Sequence, residues 1–321
     1  MSKVSVLVSI YKNEANILPF YEDFMANIVP AFKEAGDDYE LIMINDDSPD
    51  NSWQVMKELA KKDDHIKLLR LSRNFGAISA TFTGLNYATG DCITVKACDL
   101  QEPAELTVRM YHEWKKGEKV LFAVREARSD GFINDFFSNT YYFIMRKLII
   151  HSMPKGGFDI YTIDKQVKDQ IVAMNDKNSN IALQLMWLGF HPKKLYYERK
   201  AREIGKSSWT LAKKIKLFTD SILAFSYVPI RFMTGTGVLF LLFSILWSLN
   251  ILWARFHNLI PVQGYTSLLV VLLFSSGLIM FTLGILGEYI WRTMEAARNR
   301  PQFVVRDAVG FGEKSLGEGV Q

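Results

Sequence analysis

Hydrophobic and polar positions divide this chain into two unlike parts. Up to about residue 200, short apolar runs at 4–10, 41–44, 66–71, 92–95 and 120–124 alternate with amphipathic stretches at 53–60, 77–87 and 105–114. Runs of that length and β-branched content predict strands, and the stretches between them predict helices. The rhythm predicts βαβ units, an α/β domain with a mostly parallel sheet covered by helices. Ligands of such sheets bind beyond the carboxyl ends of the strands, so chemistry is to be sought just after each run.

After residue 230 the pattern changes. Residues 232–254 contain no Asp, Glu, Lys or Arg, and a second uncharged run extends over 256–287 with its apolar body at 265–287. At 1.5 Å per residue each is long enough to cross a hydrocarbon core of about 30 Å. The segment between them carries Arg255 and Pro261, which suits a short hairpin loop. Lys213, Lys214, Lys216 and Arg231 precede the first run, and Arg292, Arg298, Arg300 and Arg306 follow the second. That imbalance predicts both termini on the cytoplasmic side of an inner or plasma membrane. Just upstream, Leu211, Ile215, Phe218, Ile222 and Phe225 recur at helical spacing with Lys213, Lys216 and Asp220 opposite. This predicts an amphipathic helix lying in the headgroup region. The expected organisation is a catalytic domain at 1–209, a juxtamembrane helix at 210–228, a transmembrane hairpin at 229–292 and a cytoplasmic tail at 293–321. Gly235, Gly237, Ser244 and Ser248 in the first run, with Gly277, Gly284 and Gly287 in the second, predict close helix packing and a homo-oligomer.

Composition sharpens this division. The 321 residues suggest roughly two domains. A mean hydropathy of +0.04 averages a soluble part with an apolar one. The net charge of +4 is mild and points to no nucleic acid. Cys92 and Cys98 lie in or beside one apolar run, so two buried thiols are expected in place of a disulfide framework or zinc site. The opening MSKVSVLVSIYKNE reads as a first strand, because its apolar run is short and no small-residue cleavage site follows.

The polar clusters after the runs carry the candidate chemistry. They are Tyr11-Lys12-Asn13-Glu14, Asn45-Asp46-Asp47-Ser48, Ser72-Arg73-Asn74-Phe75-Gly76 and Asp99-Leu100-Gln101. No GxGxxG follows the first run and no GxxxxGK[ST] occurs, which argues against dinucleotide and P-loop chemistry. Carboxylates at strand ends suit hydrogen bonds to a base or ribose and a divalent metal on a diphosphate. Any one of them could equally be a helix N-cap, as Asp46 and Asp47 illustrate.

The order YxNE, NDDS, SRNFG and DLQEP, followed by two apolar runs and Leu286-Gly287-Glu288-Tyr289-Ile290-Trp291-Arg292, resembles the family 2 glycosyltransferases that charge a polyprenyl phosphate. These are the dolichyl-phosphate mannose synthase-like enzymes, and the likeness covers about residues 4–306. It implies a GT-A fold (Rossmann-like, with a mostly parallel sheet) and nucleotide-sugar contacts from Tyr11, Glu14, Asp46, Asp47, Arg73 and Asp99. It further implies Mg²⁺ or Mn²⁺ on Asp99 and Gln101, and an acceptor-phosphate site of Arg125, Arg128, Ser138, Arg202 and Lys206. Asp99, Gln101 and Arg202 would carry catalysis, and a tetramer is the assembly the resemblance favours. Two departures stand out. Ala97 replaces the first Asp of the family's DADLQ pattern, and Asn134-Asp135 replace a basic pair ahead of Ser138.

The implied reaction moves sugar from a UDP-sugar to undecaprenyl or another polyprenyl phosphate, by one inverting displacement. The nucleophile is an already ionised phosphate oxygen, which agrees with the lack of His in the strand-end clusters. One alternative is a processive polysaccharide synthase; Gln184-Leu185-Met186-Trp187 lacks the Arg of that group's QxxRW motif. The other is an inactive membrane scaffold of the same fold.

Overall fold

The computed structural model describes residues 1–126, 143, 146, 147, 154, 158, 160–176, 180–199, 219–222, 226, 228–257, 264–298 and 300–312. They fall into two units, Met1–Phe218 with Pro301–Gln321, and Thr219–Arg300.

The first unit is built on strands β1 (Lys3–Ile10), β2 (Asp38–Asn45), β3 (Ile66–Leu71), β4 (Cys92–Val95), β5 (Val120–Arg125), β6 (Ile160–Asp164), β7 (Lys193–Tyr197) and β8 (Val305–Val309). They make one eight-stranded sheet in the order β7-β5-β6-β4-β1-β2-β3-β8. β1 pairs in parallel with β2 and β4, β2 with β3, and β5 with β7. β6 runs antiparallel to β4 and β5, and β8 antiparallel to β3. The strand order reverses at β1, since the chain proceeds to β2 and β3 on one side and returns to β4 on the other. Such a reversal opens a crevice at the carboxyl ends of the strands.

Helices cover both faces. Val4, Val6, Val8 and Ile10 belong to a buried cluster with Ile17 and Phe20 of α1 (Glu14–Asp23), Phe32 of α2 (Val29–Glu34) and Met56 and Leu59 of α3 (Ser52–Ala60). Leu7 and Ile44 instead meet α4 (Ala77–Tyr87), where a Cβ on Gly84 would stand 2.9 Å from Ile44 Cδ1. A side chain at position 84 would press on Ile44 and Leu7, so glycine eases the close approach of α4 to the central strands. On the β5 side, Leu106 and Met110 of α5 (Ala104–Lys115) pack with Leu121, Ala123, Ile160 and Leu195. Both thiols, Cys92 and Cys98, are buried and free, as expected.

The segment expected as a tail at 293–321 behaves otherwise where it is described. Residues 305–309 form β8, and Phe303 is 6% exposed with its ring edge on Phe82 of α4. Phe311 stacks edge-on against Tyr87, and Ser72 N–H donates to the Val304 carbonyl at 2.9 Å. Residues beyond the second apolar run thus complete the edge of the eight-stranded sheet.

The second unit holds two long helices, α6 (Val228–Phe256) and α7 (Tyr265–Ala297). Each contains a stretch long and apolar enough to cross a membrane, over Val228–Trp247 and Phe274–Ala297. Leu239, Leu246 and Met280 are each 67–69% exposed, and Phe240 stacks on Phe274 between the helices. Side chains this apolar facing outward are what a lipid surround accommodates. Of the expected amphipathic helix, residues 219–222 are helical, and residues 210–218 lie outside the described residues. Asp220, expected on its polar face, accepts from Arg292 at 2.6 Å, and Arg292 also reaches Glu288 at 3.2 Å.

Candidate active site

The polar clusters read from the sequence all emerge at the carboxyl edge of the sheet, around the β1–β4 crevice. Backbone conformation marks the same place. Lys12, Asp47 and Leu100 have positive φ of 54°, 48° and 56°, each in the turn after β1, β2 or β4. Non-glycine residues take this conformation at a cost, and it collects where a turn is set by function.

After β1 and β2 the turns lock each other. Lys12 N–H donates to Ser48 Oγ at 2.7 Å, and Ser48 Oγ donates to Asp50 Oδ1 at 2.6 Å. Asp50 Oδ2 accepts from Glu14 N–H at the start of α1, while Glu14 Oε2 accepts from Asn51 N–H ahead of α3. The Glu14 carboxylate is therefore a reciprocal cap joining two helix starts. Tyr11, half-buried, precedes this lock, with Lys12 Nζ 5.5 Å from its ring.

Asp46 is 2% exposed, and its Oδ1 and Oδ2 accept from Phe75 N–H at 2.7 Å and Gly76 N–H at 2.9 Å. It pins the loop after β3 to the end of β2. Burial, helped by the Asp47 charge, outweighs those two bonds and pushes the Asp46 carboxyl up from its ordinary range. Asp47 Oδ1 accepts from Arg70 at 3.3 Å, and Arg70 lies 4.0 Å from Asp307 of β8. Arg73 is exposed, its guanidinium 4.2 Å from the Phe75 ring.

The turn after β4 has a different character. Lys96 is 1% exposed, and its Nζ donates to the Glu102 carbonyl at 3.1 Å, bracing the 97–102 turn from beneath. Its burial favours the neutral amine and lowers its pKa. Asp99 is partly exposed, and its Oδ1 faces Gln101 N–H at 3.4 Å. Gln101 is 8% exposed, and its Oε1 accepts from Arg199, two residues past β7. Arg125 ends β5 in register with Tyr197 of β7. Arg128, Ser138, Arg202 and Lys206 lie outside the described residues.

Among the described residues no group of three or more His, Cys, Asp or Glu side chains could hold a metal ion. Asp99 still fits a divalent cation, because Mg²⁺ needs only one or two carboxylates when diphosphate oxygens and water complete its shell. Gln101 fits less well. Its carboxamide oxygen, the one atom it could offer, already faces a guanidinium.

The family model described as Glycosyl transferase family 2 matches residues 5–173, over half of the chain. The chain belongs to this family. This family 2 glycosyltransferase is 30% identical over 313 residues to "Uncharacterized glycosyltransferase YkcC" of Bacillus subtilis (strain 168), covering 97% of this chain and 96% of that one. It is also 30% identical over 309 residues to "SfII prophage-derived bactoprenol glucosyl transferase" of Shigella flexneri, covering 95% of this chain and 97% of the relative. Among solved structures, mannosyl-3-phosphoglycerate synthase from Rubrobacter xylanophilus aligns at a TM-score of 0.49 and 12% identity, over 74% of this chain and 75% of that one.

Sequence reading missed three features of this candidate site. Lys96 directly follows the apolar run at 92–95, and nothing local marks it as buried. Arg199 lies in a string of charged residues at 198–203, where nothing local singles it out. The β8 segment, with two charges in Val305–Val309, has no strand-like alternation.

Proposed function

We propose that this enzyme transfers a sugar from a UDP-sugar to the phosphate of a polyprenyl phosphate, in the undecaprenyl class, at the cytoplasmic face of the membrane. The carrying observation is the likeness to a bactoprenol glucosyl transferase over 95% of the chain, a span too long to leave out either apolar helix. Chain connectivity supports the topology. β8 lies in the same sheet as β3, so whatever separates them crosses a membrane an even number of times, and two spans satisfy this.

In this reading the donor nucleotide lies over the β1–β3 turns, near Tyr11, Asp47 and Arg73. Glu14 and Asp46 shape that pocket through the backbone groups they hold. Asp99 faces the diphosphate, and a divalent cation bound there would offset the charge of the departing UDP. An ionised phosphate oxygen of the lipid attacks the anomeric carbon as the bond to the diphosphate breaks, with inversion. No proton has to be removed, so positioning and charge carry the rate. Arg125, with Arg128, Ser138, Arg202 and Lys206 beyond it, would hold the acceptor phosphate through bidentate and point-charge bonds. The apolar helices confine the enzyme to the surface where its lipid resides, and a homo-oligomer, with a tetramer favoured, would bury part of their outward faces.

The deciding experiment supplies the membrane-reconstituted protein with undecaprenyl phosphate and each of several UDP-sugars. Mass analysis should show one lipid-phosphate hexose with release of UDP. UDP-sugar hydrolysis without a glycolipid, or polymer growth on a sugar acceptor, would overturn the reading.

A further inference from the structure

The turn after β4 presents an unusual balance of charge. A nucleotide diphosphate carries two or more negative charges into a site whose turn offers one partly exposed carboxylate, Asp99, for a metal. Glu102, in the same turn, is 3% exposed and turned inward. Position 97, in the same turn, is Ala and adds no charge. Against this stands Arg199. Its NH2 group donates to Gln101 Oε1, while its Nε is buried and makes no hydrogen bond among the described residues. A guanidinium has five N–H donors in a rigid fork, and a buried donor left unmet is costly. An anion arriving beside Gln101 would meet this guanidinium.

We propose that Arg199 is a phosphate-binding residue of this site, which takes oxygens of the donor's diphosphate and supplies part of the positive charge that a metal would otherwise provide. The inference rests on the reading that the diphosphate lies against Asp99. Gln101 then has a defined task. It holds the guanidinium in place from the metal side of the turn, and it is a positioning residue here in place of a metal ligand. Arginine suits the role because it stays charged and binds phosphate oxygens two at a time. The same chemistry could serve the phosphate of the lipid, and binding measured without lipid separates the two sources.

Calorimetry of UDP binding to the full-length protein, in EDTA and in saturating Mg²⁺ and without lipid, tests the assignment. Arg199→Ala should weaken UDP in EDTA by at least about tenfold, the lower end for a hydrogen bond to a charged group. Its ratio of affinities with and without Mg²⁺ should rise above that of the wild type, because the metal becomes the main remaining source of charge. Arg199→Lys should recover only part, since a point charge does not reproduce the fork. Should Arg199→Ala melt at a lower temperature, Gln101→Ala carries the test. It frees the guanidinium and should shift the Mg²⁺ dependence in the same direction by a smaller factor. UDP affinities in EDTA that match the wild type in folded variants overturn the proposal, as does a change confined to half-saturation by lipid phosphate. Absence of UDP binding by the wild type in both media would instead defeat the sugar-nucleotide reading itself.

Discussion

Glu40 and Asp46 lie six positions apart on and just after the same strand, and both are almost wholly buried. Their surroundings are opposite. Glu40, at the amino end of the sheet, accepts from Ser5 Oγ at 2.5 Å, from Thr89 N–H at 2.8 Å, and from Lys3 and Lys67 at 3.0 and 2.7 Å. Burial works against its charge, yet the bonds from Lys67, Ser5 and Thr89 prevail and hold its carboxyl down at about 2. Asp46, at the carboxyl end, has two backbone N–H groups and the like charge of Asp47, and its carboxyl is pushed up. One end of the sheet neutralises what it buries. The other buries a carboxyl whose two bonds come from neutral backbone N–H groups, beside turns of positive φ. That asymmetry separates a structural end from one available for ligands.

The largest effect is expected from Phe303→Ala. Emptying the space of a buried aromatic ring costs about 3–5 kcal/mol. Because the 301–312 segment backs the loop that Asp46 pins, UDP affinity should fall together with the melting temperature. Unchanged UDP binding in the folded fraction would detach β8 from the site. Glu40→Gln is the matching probe at the amino end. Breaking a buried ion pair costs about 3 kcal/mol, at the low end because Lys3 and Lys67 keep 31% and 18% side-chain exposure. UDP affinity should stay within about twofold. A loss of UDP binding as large as that of Phe303→Ala would erase the distinction between the two ends.

Asp99→Asn keeps shape and removes charge. In the Mg²⁺-saturated protein turnover should fall by about tenfold to a hundredfold with melting temperature unchanged. Wild-type turnover would remove Asp99 from the diphosphate. The smallest effect is one of pH. The folded carboxyl of Glu40 titrates at about 2 against an ordinary value of 4.5, so its stabilisation is complete above 4.5 and drains away as pH falls towards 2. The melting-temperature gap between wild type and Glu40→Gln should therefore be wide at pH 7 and close on approach to pH 2. A gap constant across that range would mean that charge has no part in the Glu40 network.

Much of this was legible in the residues themselves. The central strands are buried on both faces and so read as continuous apolar runs, which is why β1 to β5 were visible. The clusters after them were visible because polar residues at strand ends interrupt those runs abruptly. β6, β7 and β8 were not. Lys193 and Lys194 open β7, and β8 carries Arg306 and Asp307, so neither shows the apolar content of a strand. They become strands because a neighbouring edge offers unpaired backbone groups. The site roles divide in the same way. Nothing local distinguishes Glu14 as a nucleotide ligand from Glu14 as a cap for α3.

The sequence by itself determined the alternation that makes an α/β sheet, the two apolar helices, and the concentration of acidic and basic groups after the strands. These are local properties, set by which side chains can be buried and at what spacing. Only the tertiary structure decided that Asp46 binds backbone, that Gln101 faces Arg199, and that the segment after the second apolar helix closes the sheet beside β3. Each joins residues at least 29 positions apart in the chain. Such pairings depend on how strands order themselves across a sheet, and local spacing carries no record of that order.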